Sequence, residues 1–178
     1  MDQVIVIVAQ YFVVLSVLIA GVFWLRLPAY GKWTLGTAGL LGGLVALGLI
    51  AVAGSLYHDR RPFVTEHVRP LFPHPADNGF PSDHATLTMF IAVCVLFYSR
   101  AWGSALTVNA LLVGIARVLA RVHSPLDIAA GYVLGALAAA AAVWAAPRIV
   151  RLIPLPSAAP PGAQAVPQPR RPAMHRRT

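Results

Sequence analysis

Hydrophobic positions in this chain gather into long runs instead of alternating with polar ones. Val4 to Leu25, Trp33 to Tyr57 and Ile128 to Pro147 each continue for about 20 residues or more without a charged side chain. That is the length a helix needs to cross a hydrocarbon core roughly 30 Å thick. Two shorter runs, Ala85 to Ser99 and Ala101 to Ala116, flank the lone Arg100. At about 1.5 Å per residue each covers only about 22 to 24 Å, so flanking polar residues must extend them at the membrane rim. The pattern predicts an all-α, polytopic membrane helical bundle of about five transmembrane helices, with six as the alternative count. The first run lacks a basic n-region and a small-residue cleavage site, and reads as a retained helix.

Composition agrees: 58% hydrophobic and 11% charged residues in 178 exclude a soluble domain of this size. The single cysteine, Cys94, falls in the third run and excludes an internal disulfide. The pattern changes at Pro154. Residues 1–153 form the predicted membrane-embedded domain. Residues 154–178 carry seven prolines and four arginines but no apolar periodicity, which predicts a disordered, basic, Pro-rich tail near anionic lipid. Basic tails behind a last span set topology, so no nucleic-acid partner is expected.

With five spans drawn, one side receives Arg26, Lys32, Arg100, Arg148, Arg151, Arg170, Arg171, Arg176 and Arg177, nine of the fourteen basic residues. The positive-inside rule makes that side cytoplasmic. All six acids, Asp2, Asp59, Glu66, Asp77, Asp83 and Asp127, fall on the other side. So do two loops, 57–84 and 117–127, which together hold five of the six histidines (His58, His67, His74, His84, His123) and five arginines. Arginines on the side that topology keeps poor in positive charge point to an anionic ligand. For Arg60 and Arg69, loop salt bridges explain the charge equally well.

The segments "RRPF", "PSDH" and "ARVLARVHSPLD" resemble the three signatures of the type 2 phosphatidic acid phosphatase superfamily, Lys-x6-Arg-Pro, Pro-Ser-Gly-His and Ser-Arg-x5-His-x3-Asp. Within it, "YHDRRPF" and "FPSDHAT" look like the bacitracin-resistance type of undecaprenyl-diphosphatase. The chain departs from the pattern three times: Gly54 stands where the family has lysine, Asp83 where it has glycine, and Ala116 where it has serine. The missing lysine calls for a substitute, either Arg60 or Arg121. Arg121 lies one turn beyond Arg117 and shares its face if that helix continues so far.

The chemistry can also be read from the residues. Cleaving a phosphoanhydride needs positive charge on the equatorial oxygens, an in-line nucleophile and a proton for the leaving oxygen. Arg61 and Arg117 offer forked donors, and Ser82 is a candidate N-cap whose helix start would meet an anion. Asp83 suits a helix start but repels phosphate, so its side chain is expected to turn toward an arginine. The expected phosphate-binding set is Arg61, Ser82, Asp83, Arg117, Arg121 and Arg60. Ser124-Pro125 reads as an N-cap and N1 pair, which leaves His123 just ahead of a helix and Asp127 in its first turn. That spacing lets the carboxylate hold one ring nitrogen and leave the other free.

The resemblance implies the catalytic roles: His123 as nucleophile forming a phosphohistidine, Asp127 as its orienter, His84 as the acid. His58, His67 and His74 are assigned to loop carbonyls. A metal site competes on histidine count, but no His pair has i, i+4 spacing and arginines would repel a cation, so neither metal nor cofactor is expected. The implied activity is hydrolysis of a lipid-linked diphosphate, undecaprenyl diphosphate first, at the extracytoplasmic face of a bacterial inner membrane. The alternatives are phosphatidylglycerophosphate or phosphatidic acid hydrolysis and, in another class, a polyprenyl-phosphate binder or transporter. A transporter places ionisable groups at mid-membrane, whereas the span interiors here offer only Gln10 and Asn109, which suit interhelical hydrogen bonds.

Overall fold

The computed structural model describes residues 1–153; the predicted tail, 154–178, lies outside the described residues. Six helices follow in order: α1 (Asp2–Arg26), α2 (Ala29–Leu56), the short α3 (Pro62–Thr65), α4 (Asp83–Leu96), α5 (Arg100–Leu119) and α6 (Pro125–Val150). Five are long. Of the two short apolar runs, α5 grows at both ends as its length demands, from Arg100 to Leu119, whereas α4 takes in Asp83 and His84 but stops at Leu96, so the expected lengthening is not met there.

α1, α2, α5 and α6 are each long and apolar enough to cross a membrane; α4 has 14 residues. Its shortness is compatible with its place. α4 packs chiefly on α6 and α5 and also touches α2 and α1, so the other helices surround it. Large apolar side chains such as Leu18, Leu44, Leu47, Val108, Leu137 and Trp144 point outward, as a lipid environment favours. The chain is a multi-pass membrane protein.

Apolar side chains gain little by leaving lipid for another helix, so contact between spans depends on close fit and on polar bridges. α6 supplies the fit with Gly131, Gly135, Ala138, Ala139 and Ala142, all buried. A Cβ at Gly131 would stand 2.8 Å from the Ser82 carbonyl oxygen, and one at Gly135 would collide with the Thr86 carbonyl. The backbones of α4 and α6 therefore meet directly beneath the start of α4. Asn109 of α5 supplies a bridge, donating to Ser16 Oγ (2.7 Å) and the Phe12 carbonyl (3.0 Å) of α1.

Helices α1 and α2 are joined by the tight Leu27–Pro28 turn, and α4 and α5 by residues 97–99. The opposite end of the bundle carries the long 57–82 connection and the 120–124 turn. These two loops are stitched together by backbone bonds from Phe63 N to Arg121 O (3.1 Å) and Leu71 N to Ala120 O (3.3 Å), and the long one is tied to the first turn of α6 by Ser82 N to Asp127 O (3.1 Å). Every signature residue lies at this end.

Candidate active site

The 57–82 loop owes its course to Asn78. Its Oδ1 accepts from the backbone N–H groups of Asp59 and Phe80, both at 3.0 Å. Its Nδ2 donates to the carbonyls of Gly54 and Tyr57, also at 3.0 Å, which closes the end of α2. This staple accounts for Gly54. The loop lies so near that a Cβ there would sit 3.1 Å from the Phe80 carbonyl oxygen, so the family's lysine position is occupied by a close backbone approach. Gly79 is similarly constrained, since its Cβ would stand 3.0 Å from Asp127 Oδ2.

The staple fixes Arg61, which is buried. Its Nε donates to Asp77 Oδ1 (2.7 Å) and its Nη1 to the Val122 carbonyl (2.8 Å). Burial pushes the Asp77 carboxyl up, but the hydrogen bond and charge of Arg61 outweigh that and hold it below the usual aspartate value. Arg117, in the last turn of α5, is equally buried and has no carboxylate partner among the described residues. Its Nη1 donates to the Ala9 carbonyl of α1 (3.1 Å), its Nη2 reaches His74 Nε2 (3.3 Å), and its Nε is buried without a partner.

Both guanidiniums converge on one atom. His123 Nε2 lies 3.3 Å from Arg61 Nη1 and 3.2 Å from Arg117 Nη2. The other ring nitrogen, Nδ1, lies 3.2 Å from Asp127 Oδ2. Guanidiniums only donate and a carboxylate only accepts, so these contacts assign one tautomer: Nδ1 carries the proton and Nε2 presents its lone pair. Asp127 is held by the start of α6. Its Oδ2 accepts from Ser124 N (2.8 Å) while its own N–H donates to Ser124 Oγ (3.2 Å), a reciprocal capping box. Burial lowers the His123 pKa; the Asp127 bond opposes this, and the charges of Arg117 and Arg61 reinforce it. The imidazole is therefore neutral at pH 7.

The start of α4 completes the enclosure. Ser82 caps it, although at 3.5 Å its Oγ is a long acceptor for Ala85 N, and its side chain is fully buried. Arg61, His74, Asp77, Asp83, His84, Arg117 and His123 line a cleft of about 370 Å³ whose apolar wall is Ile50, Ala51, Gly54, Phe80 and Pro81.

The structure thus gathers Arg61, Asp83, His84, Arg117, His123 and Asp127, with Ser82 behind them as a cap. Two expected members stand apart. α5 ends at Leu119, and Arg121, at φ 63°, swings out of the helical register. Its Nη1 binds Glu66 Oε2 at 2.8 Å, half exposed, so it shares no face with Arg117. Arg60 is exposed and joins the loop through a backbone bridge to Asn78. Neither lines the cleft that holds Arg61 and Arg117. Asp83 lines the cleft but forms no ion pair with an arginine among the described residues. Three residues were missed: His74, Asp77 and Asn78. The clue to the latter pair was "DNG" itself, a turn signal with an acid two residues before a glycine. Among the described residues no three His, Cys, Asp or Glu side chains are close enough to hold a metal ion.

A neutral histidine between two guanidiniums and a buried carboxylate, at the rim of a membrane bundle, equips an enzyme that handles phosphate groups. The chain belongs to the PAP2 superfamily, whose family model matches residues 31–151. It is 34% identical over 150 residues to the bacitracin transport permease protein BcrC of Bacillus licheniformis, covering 84% of this chain and 73% of that protein. It is 35% identical over 130 residues to the undecaprenyl-diphosphatase BcrC of Bacillus subtilis, covering 72% and 66%. The crystal structure of Aquifex aeolicus LpxE is similar at a TM-score of 0.66 and 25% identity, over 80% of this chain and 85% of that one. The protein is a membrane phosphatase.

Proposed function

We propose that this enzyme hydrolyses undecaprenyl diphosphate to undecaprenyl phosphate through a phosphohistidine on His123. The observation that carries this reading is the convergence of Arg61 and Arg117 on His123 Nε2. A phosphoryl group arriving there takes over both guanidiniums. Its equatorial oxygens receive the two forks, and Nε2, released from its donors, lies in line with the phosphorus. The Nε2–P bond forms as the bond to the bridging oxygen breaks. Asp127 stabilises the positive charge that develops on the ring. His84, on the same cleft, takes up a proton as the anionic headgroup enters beside it, passes that proton to the departing lipid phosphate and regains one from the water that releases inorganic phosphate.

The substrate assignment rests on the apolar wall beside the charged one and on the activity named for the Bacillus subtilis relative. The cleft opens next to the end of α2, at bilayer-rim depth, where a lipid headgroup lies. We place that rim on the extracytoplasmic side of a bacterial inner membrane, because the opposite end carries Arg26, Lys32, Arg100, Arg148 and Arg151 without an acid.

Purified protein should release phosphate from undecaprenyl diphosphate with a kcat/KM at least tenfold above that on phosphatidylglycerophosphate or phosphatidic acid, and His123→Ala should release none. Preference for a phosphomonoester lipid would overturn the substrate, and an active His123→Ala protein would overturn the mechanism.

A further inference from the structure

His74 has no part in the signature segments, yet it lies against the reacting histidine. Its ring is half buried and stands edge-on to His123, with centroids 6.2 Å apart and planes at 75°. Nε2 lies 3.3 Å from Arg117 Nη2, and Nδ1 lies 3.3 Å from the Pro75 carbonyl. These contacts are mutually consistent for a neutral ring whose Nδ1–H donates to Pro75 and whose Nε2 accepts from Arg117. Burial lowers the His74 pKa; the Pro75 carbonyl opposes this, and the Arg61, Arg117 and His123 charges add to the lowering.

Arg117 is oriented differently from Arg61. Arg61 is held by a carboxylate, Asp77, whose side chain is 61% exposed and so screened by water. Arg117 is held by two neutral acceptors, the Ala9 carbonyl and His74 Nε2. A carboxylate at that half-buried position, against the buried guanidinium, would compete with phosphate for it; a carbonyl and an imidazole aim it without cancelling its charge. One Nη2–H faces His123 and must leave it when phosphate enters, while the other faces His74 and can stay.

We propose that His74 is a positioning residue that aims the Arg117 fork at the reacting phosphate while leaving its charge undiminished. This rests on the phosphohistidine reading above. It predicts an order among substitutions. Gln at this position keeps a neutral acceptor at about the reach of Nε2, Ala removes it, and Glu replaces it with a competing anion.

The experiment measures kcat and KM for undecaprenyl diphosphate, and inhibition by orthovanadate, with detergent-purified wild type, His74→Gln, His74→Ala and His74→Glu, each checked by thermal unfolding. His74→Gln should stay within about 3-fold of wild type. His74→Ala should lose about 10-fold in kcat, the worth of one hydrogen bond. His74→Glu should lose about 10²-fold, as when an anion-stabilising donor is taken away, with orthovanadate inhibition weakened in parallel. KM should change less than kcat, because the lipid chain is untouched. An Ala variant with wild-type kcat overturns the proposal, as does a Gln variant as slow as Ala or a Glu variant as fast as Gln. In each case an active wild type leaves the phosphatase reading standing. A wild type that releases no phosphate from any of the lipid phosphates overturns both. If His74→Ala unfolds, the comparison of Gln with Glu, equal in size, decides alone.

Discussion

Replacing Asp127 with asparagine changes one atom and reverses the logic of the site. In the native protein Oδ2 accepts from both Ser124 N–H and His123 Nδ1–H, while Oδ1 is buried without a partner. Asparagine has two ways to fit. With its oxygen toward His123, the new amide donors occupy the Oδ1 position, buried and unpaired, at a cost of roughly 1–3 kcal/mol. With its NH₂ toward His123, it drives the ring proton to Nε2 and removes the lone pair that must attack phosphorus. A hydrogen bond to a charged group contributes about 1.5–3 kcal/mol, which at about 1.36 kcal/mol per decade is about 10- to 10²-fold in rate. The wrong tautomer adds to this, and in the serine protease triad the equivalent change costs about 10⁴. The expected loss in kcat for Asp127→Asn is therefore about 10²- to 10⁴-fold, measured as phosphate release from undecaprenyl diphosphate in detergent. Ser124→Ala is the control. It removes one arm of the capping box, at about 1 kcal/mol of stability, yet leaves the carboxylate on His123. Folded Asp127→Asn with wild-type kcat, or Ser124→Ala as slow as Asp127→Asn, would refute the reasoning.

Other outcomes follow from the same geometry. Arg121→Ala should keep activity within about 3-fold, because its exposed pair with Glu66 has the small worth of a surface salt bridge; a 10²-fold loss in kcat would return it to the site. Gly54→Lys should lower activity and thermal stability together, since its Cβ presses on the Phe80 carbonyl at 3.1 Å and loosens the Asn78 staple; a gain in either would show that the loop yields. With neutral His123 as the proposed nucleophile and its pKa lowered, single-turnover phosphorylation should persist as pH falls through 6.5 and be lost only below it; an acid limb centred above 6.5 contradicts this. In intact cells an impermeant thiol reagent should label Ala76→Cys and spare Ala101→Cys, with native Cys94 silent because it is buried; the reverse pattern would put the cleft in the cytoplasm.

The number and kind of the helices was legible because a span is announced by composition alone: about 20 apolar residues admit few other structures. The short runs were legible in part: α5 made up its deficit in length with Arg100 and residues 117–119, whereas α4 gained Asp83 and His84 but stopped at Leu96, where the turn to α5 begins. Helix stops were harder. Nothing in "ARVLARVHSPLD" distinguishes Arg117, inside the last turn of α5, from Arg121, past it; φ at Arg121 is set by the backbone bonds of 120 and 121 to the long loop, and those are long-range. The placement of Arg121 depended on that one unknown.

The site shows the same division between local and distant causes. The pairing of His123 with Asp127 is local, fixed by the capping box at the head of α6, so spacing revealed it. The gathering of Arg61, His74 and Arg117 is not, because their contacts span 43 to 62 residues of sequence. His74 was the least visible, being one of five loop histidines that look alike by composition. What separates it from the others is that Arg117, deprived of a carboxylate, needs a neutral acceptor. That need belongs to the ligand's charge, and it can be seen only when the guanidinium, His123 and the loop are in one place.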